Sequence, residues 1–320
     1  MASLSTAFLS SLLFVMLMLP GFLLNRRHPI GQQTTAAAGR ILSEIAMPAL
    51  ILSKLLEAHT SGLNVRDALC CLLIPIAVLL PLYGVAACLT RSGDCARHHR
   101  IARFCSVFPN CGFFGVPLAS ALFPERPIVA VYVSLANVTV SVLFLTFGLQ
   151  TLSGEKSFRP AKILTSPSIW ATALGLLLLT VGNRIEFTFL QTYASHLAAL
   201  TTPLSMIVLG VELSQVQWRS FVQHGRAVAV VSFSKLLVSP LLALAAMLLL
   251  KLLHVQLSAD AANALLIAFS MGTAASAPAM AEQYGLDGTT AAVLTLATTL
   301  LCVVTFPGLY GLLGLMGFPF

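Results

Sequence analysis

The chain has 320 residues, of which 58% are hydrophobic types and only 9% are charged, with a mean hydropathy of +0.91. Soluble domains carry about a quarter charged residues, so this composition excludes a water-exposed globular surface and requires a bilayer as solvent for most of the chain. The net charge of +7 does not indicate nucleic acid, because the basic residues fall in short clusters between apolar runs and form neither a basic face nor an aromatic stacking platform.

A membrane-spanning helix needs about 20 mostly apolar residues. On that rule the sequence predicts an all-α polytopic membrane protein of ten transmembrane helices, spans 1 to 10, over 4–24, 37–57, 67–90, 101–123, 127–151, 161–182, 190–213, 225–253, 259–281 and 288–315. No basic residue precedes span 1, and Arg26 and Arg27 follow it. A cleavable signal peptide has the reverse order, so span 1 is expected to stay in the membrane with its N-terminus outside. Loops on one side then hold Arg26, Arg27, Arg40, Arg91, Arg97, Arg100, Arg103, Lys156, Arg159, Lys162, Arg219 and Arg226, against Lys54, Arg66, Arg126, Arg184 and Lys251 on the other. The richer side is expected to be cytoplasmic, which puts both termini outside.

Span 2 carries Glu44 four residues before Pro48, near the end of the span, where reaching the headgroups is the simpler role. Span 4 contains Phe108-Pro109-Asn110-Cys111-Gly112-Phe113-Phe114-Gly115-Val116-Pro117. Each proline removes a donor and leaves an upstream carbonyl unpaired, and in hydrocarbon that is tolerated only where the backbone lines a cavity or packs on protein. The polar break from Ser153 to Lys162 divides the spans five and five, giving a first repeat over 1–155 and a second, upside-down repeat over 156–320. Such inverted repeats are common in secondary transporters. Span 7 places Pro203 much as span 2 places Pro48, span 8 carries Lys235 ahead of Pro240, and Glu212 lies near the end of span 7. Span 9 contains Ser270-Met271-Gly272-Thr273-Ala274-Ala275-Ser276-Ala277-Pro278-Ala279, a second helix rich in breakers and small residues.

Two broken helices in corresponding halves point to a midplane binding site, with half-helix N-termini suited to a carboxylate. The candidate substrate-binding residues are Asn110, Gly112, Pro117, Thr273, Ser276 and Pro278, and the candidate buried charges are Lys235 and Glu44. Lys235 sits about ten residues into its span, too deep to reach the interface easily. The seven cysteines form no CxxC pair, the histidines no HExxH, and no GxSxG or intramembrane aspartate pair is present, so no catalytic residue, metal or cofactor is expected. A channel is harder to separate, because its charged rings depend on oligomers.

These motifs resemble the auxin efflux carrier family, over nearly the whole chain. The match rests on Pro109-Asn110 with Gly115-Val116-Pro117, Ser166-Pro167 with Gly175, Pro203-Leu204 with Leu209-Gly210, Lys235 to Pro240, and Ala281-Glu282-Gln283-Tyr284. The resemblance implies a scaffold of spans 1, 2, 6 and 7, a transport domain of spans 3–5 and 8–10, and spans 4 and 9 broken and crossing inside it. It implies a permease in the cell inner membrane for a small organic anion, mono- or dicarboxylate, of the malonate or malate type. Relatives usually place a proline just after the methionine of span 9, where this chain has Gly272 and Thr273, and bacterial relatives an asparagine near position 277, where it has Ala277. Thr273 or Ser276 is expected to contribute instead. A sodium-coupled symporter of the bile-acid-transporter type is the rival reading. The expected partners are the anion and the lipid bilayer, the chain is compatible with a homodimer, and nucleic acid is not expected. The scarcity of titratable groups in the broken helices favours carriage driven by the membrane potential, worth about 2.3 kcal/mol per charge per 100 mV.

Overall fold

The computed structural model describes residues 4–60, 63–90, 96–154, 166–181, 188–216 and 218–315. In chain order its principal helices are α1 (Phe8–Arg27), α2 (Gln33–Glu57), α3 (Val65–Leu89), α4 (Ala96–Val107), α5 (Cys111–Leu122), α6 (Ile128–Ser153), α7 (Pro167–Val181), α8 (Thr188–Gln215), α9 (Gly225–Leu252), α10 (Ala259–Ser270), α11 (Ala277–Gln283) and α12 (Gly288–Leu315). A short helix, Trp218–Gln223, precedes α9. Seven of these, α1, α2, α3, α6, α8, α9 and α12, are long and apolar enough to cross a membrane, so the chain is an all-helical integral membrane protein. They coincide with expected spans 1, 2, 3, 5, 7, 8 and 10 to within a few residues. Expected span 4 is divided into α4 and α5, and expected span 9 into α10 and α11. Each of α4, α5 and α10 has 12 residues, which covers only about 18 Å of a hydrocarbon core about 30 Å thick. The boundary at 155/156 and the start of span 6 at 161 lie outside the described residues.

Proline explains most of the irregular backbone. Three π-helical segments, Leu42–Ala46, Cys111–Gly115 and Ser234–Val238, each end two residues before a proline: Pro48, Pro117 and Pro240. A proline ring has no N–H and crowds the carbonyl four residues back. The preceding residue responds by bonding five residues back: Met47 to Leu42, Val116 to Cys111 and Ser239 to Ser234. The widened turn keeps the helix running at an altered angle. A fourth π segment, Phe144–Gly148 in α6, has no proline behind it.

The interior is built on α6 and α10. From Ile128 to Asn137 every side chain of α6 is buried, and so is nearly every one from Ala261 to Ser270. A helix apolar on all faces belongs inside. By contrast α1, α3, α8, α9 and α12 expose Leu9, Leu13, Leu73, Phe189, Leu252 and Leu315, as expected of lipid-facing surfaces. Helices α1 and α8 touch backbone to backbone. A Cβ on Gly21 would lie 2.0 Å from the Ile207 carbonyl oxygen, and one on Gly210 would lie 2.0 Å from that of Met18. In lipid, where apolar burial gives no preference for protein, such close packing holds helices together. Asn25 adds a 2.5 Å hydrogen bond from its side-chain amide to Ser214.

The helix ends fall into two groups. At one end Arg100 donates to the Ser153 carbonyl, the His98 and His224 rings lie 6.0 Å apart, and His224 reaches Thr290. At the other, Arg126 pairs with Asp260 at 2.8 Å, the Ser258 amide donates to Asp67, and the Asn64 amide to the Tyr132 hydroxyl.

Candidate functional site

Helix α4 stops because Phe108 precedes a proline, which disfavours helical geometry at that residue. Its last carbonyls are then orphaned inside the protein, where an unpaired group costs several kcal/mol. The broken segment between α10 and α11 satisfies them. Asn110 N donates to Gly272 O at 2.8 Å and Ala274 N donates to Phe108 O at 2.9 Å, forming an antiparallel bridge between Pro109 and Thr273. The Thr273 hydroxyl donates to Cys105 O at 2.7 Å, and Lys235 Nζ donates to Val107 O at 2.9 Å. Thr298 of α12 accepts from the Thr273 amide at 3.0 Å. Gly272 has no room for a side chain, since a Cβ would lie within 3.0 Å of the Thr298 and Thr299 backbone. The two broken helices therefore cross by exchanging the hydrogen bonds that each has lost.

Beside the crossing lies a cavity of about 330 Å³. Its walls are Ser43, Glu44 and Met47 of α2; Pro109, Asn110, Gly112 and Phe113; Asn137, Ser141, Phe144 and Leu145 of α6; Ser166, Pro167 and Ser168; and Ala274 to Ser276. Asn110 is 3% exposed, and its side-chain Nδ2 has no hydrogen-bond partner. A buried amide left unpaired costs roughly 1–3 kcal/mol, so Asn110, a residue of the cavity wall, carries an unused donor on its buried side-chain nitrogen. Asn137 accepts from the Cys111 thiol at 3.1 Å. Gly112 keeps the wall open, because a Cβ there would lie 2.5 Å from Met47 Cε and 3.1 Å from Asn137 Oδ1. The N-terminal end of α5 opens at Asn110 and contributes partial positive charge. Among the described residues Glu44 is the only ionisable side chain in the lining.

Of the residues selected from the sequence, Asn110, Gly112 and Ser276 meet at this cavity. Thr273 is fully buried and occupied with Cys105. Pro117 and Pro278 are buried at the starts of helical segments and do not line the cavity. Lys235 is fully buried and serves the α4 terminus instead. Glu44 is corrected: it is not a buried charge but an exposed one, which lies in the π segment ahead of Pro48 and lines the cavity. Asn137, Ser43 and Ser141 were not singled out by sequence reasoning. The available signal was Asn137, the lone amide of an apolar run. No cluster of three or more His, Cys, Asp or Glu that can hold a metal ion occurs among the described residues.

Comparison with known proteins places this geometry. Residues 7–310 match the family described as membrane transport protein. An uncharacterised transporter of Methanothermobacter thermautotrophicus is 26% identical over 300 residues, covering 92% of this chain and 94% of the relative. The uncharacterised transporter YfdV of Escherichia coli (strain K12) is 20% identical over 249 residues, covering 74% and 77%. With the match running from α1 to α12, the chain belongs to the membrane transport protein family, the auxin efflux carrier family that its motifs resemble.

Proposed function

We propose that this transporter is a secondary carrier that moves a small organic anion, a mono- or dicarboxylate, across the cell inner membrane by alternating access. The observation that carries the reading is the unpartnered Asn110 amide in the wall of a cavity at the crossing of two broken helices. A substrate carboxylate there accepts from Asn110 and meets the N-terminal end of α5.

The cavity also supports the division into scaffold and transport domain. One wall comes from α2 and the start of α7, in spans 2 and 6, and the facing wall from the crossing and α6, in spans 4, 5 and 9. Sliding of one group past the other exposes such a cavity to each side in turn. The ten-span, five-plus-five reading draws support from the helix ends. His98, Ser153, His224 and Thr290 meet at one end, Asn64, Asp67, Arg126 and Asp260 at the other, as ten alternating crossings require. With the basic excess on the first of these sides, both termini are outside.

Against the sodium-coupled reading stands Lys235, whose ammonium already sits at the C-terminal end of α4, where a coupling cation would gain from the negative end of the helix. The test is binding of malonate and malate to purified protein, followed by counterflow in proteoliposomes with and without sodium. Asn110→Ala is expected to weaken binding at least ten-fold while the melting temperature holds. Unchanged binding in a folded variant removes Asn110 from the site.

A further inference from the structure

Glu44 stands in the wall of the cavity to which the anion is assigned. It belongs to the π segment Leu42–Ala46 of α2, is exposed, and lines both the cavity and an adjoining apolar groove walled by Trp170, Leu174 and Tyr193. The rest of the cavity lining is amide, hydroxyl and apolar, with no basic side chain among the described residues. A substrate carboxylate held at Asn110 and the Glu44 carboxylate then share one small cavity without a cation between them. Two like charges so placed disfavour joint ionisation, and the relief is a proton on one of them.

The surroundings leave Glu44 to answer for that proton. From α8, Tyr193 is the titratable side chain on the shared groove, while His196 and Glu212 line neither concavity. From α7 and α6 the facing side chains are Ser166, Ser168, Trp170, Asn137 and Ser141, none of which titrates near neutrality. On α2 itself Arg40 is exposed one turn earlier and lines neither.

We propose that Glu44 is a proton-linked binding residue: the cavity takes an organic anion together with one proton on the Glu44 carboxylate. The proton comes from the side where the anion enters, and it leaves with the anion on the other side, so proton and substrate move in the same direction. This rests on the reading of the substrate as an anion. Binding of proton and anion then help each other by the same factor, so acid tightens the site. The role replaces the purely potential-driven carriage expected from the sequence, in which Glu44 had no part.

The experiment uses malonate, which stays ionised between about pH 6.5 and 8.5, with wild type and Glu44→Gln. Wild-type affinity is expected to tighten with acid, by up to about ten-fold per pH unit, and binding in weak buffer takes up protons from the medium, up to one per malonate. Glu44→Gln, a permanently neutral isostere, is expected to bind at least as tightly as acidified wild type, with a flat pH profile and no proton uptake. Proton uptake is read on the wild type alone, so the test stands even if the variant does not fold. Malonate binding with a flat wild-type profile and no proton uptake overturns this inference and leaves the anion reading intact. No binding by any carboxylate removes both.

Discussion

Lys235 shows how one side chain can be costly and necessary at once. A charge at the centre of a membrane helix costs about 2.5–3.5 kcal/mol on insertion scales, and a hydrogen bond to a charged group returns about 1.5–3 kcal/mol. The two nearly cancel, so the bond to Val107 O at 2.9 Å adds little net stability. Its effect is local: it satisfies the carbonyl at the end of α4 and ties α9 to the crossing. Lys235→Met keeps a similar length and removes the charge. Removing the charge relieves the cost of burying it but leaves Val107 O unpaired, so we expect the melting temperature to fall and, in protein still folded at the assay temperature, substrate counterflow to fall at least ten-fold. Full counterflow would reduce Lys235 to a packing residue. Gly112→Ala tests the cavity wall in a complementary way. The added methyl meets Met47 and Asn137, so it should weaken malonate binding while the protein remains folded, and unaltered affinity would argue that the substrate sits elsewhere.

At the scale of elements, the α1–α8 contact and the start of α12 make separate predictions. Gly21→Ala and Gly210→Ala each drive a Cβ to within 2.0 Å of a facing carbonyl oxygen. The helices have to separate, at a cost of about 1–3 kcal/mol, the usual range for overpacking. Gly39 of α2 has nothing within 4 Å of its would-be Cβ, so Gly39→Ala serves as a control that leaves the melting temperature unchanged or raised. Equal melting temperatures across the three would show that the glycine contact carries no stability. Helix α12 is started by Asp287, which accepts from the Thr289 amide at 2.9 Å and from the Thr290 hydroxyl. Partial burial alone would raise this carboxyl, but these bonds, the Thr290 amide and nearby His224 outweigh it and hold it below the ordinary 3.8. A depressed carboxyl stabilises the fold above its ordinary value, and the benefit disappears as pH falls through the folded value. Asp287→Ala should therefore cost about 1 kcal/mol at neutral pH, as for other helix caps, and the difference from wild type should shrink below pH 3.8. Thermal melts across that range decide it, and a difference independent of pH would assign the loss to packing.

For the molecule as a whole, the prediction concerns sidedness. The contacts at the two ends separate Arg100 and His224 from Arg126 and Asp260. A single cysteine at Glu125 should be labelled in intact cells by a membrane-impermeant reagent and one at His98 only after the membrane is opened, and a C-terminal reporter should be active outside the cytoplasm. Labelling of both positions from one face would remove the ten-span reading and the repeat with it.

How much of this was legible in the chain depends on how local each property is. The need for a bilayer, the positions of the long helices and the two weak points at Pro109–Pro117 and Gly272–Pro278 follow from runs of hydrophobicity and from backbone chemistry that each residue carries with it. Asn110 could be chosen because it lies between helix breakers only a residue or two away. The rest required the fold, because the cavity assembles positions 43–47, 109–113, 137–145, 166–168 and 274–276, which are distant in the chain. In the sequence Asn137 is a single amide within an apolar run, and nothing local distinguishes its face of α6 from the others. Thr273 looked like a ligand because small polar residues near a break suit either role, and only the crossing gave its hydroxyl to Cys105. Lys235 was visible as a deep charge, but its partner lies 128 residues away. Glu44 looked like a residue reaching for headgroups, since distance from a span end is all that the sequence shows. In the structure Glu44 lies in the widened turn before Pro48 and lines the cavity, because proline sets the local backbone while only the neighbours decide what its side chains face.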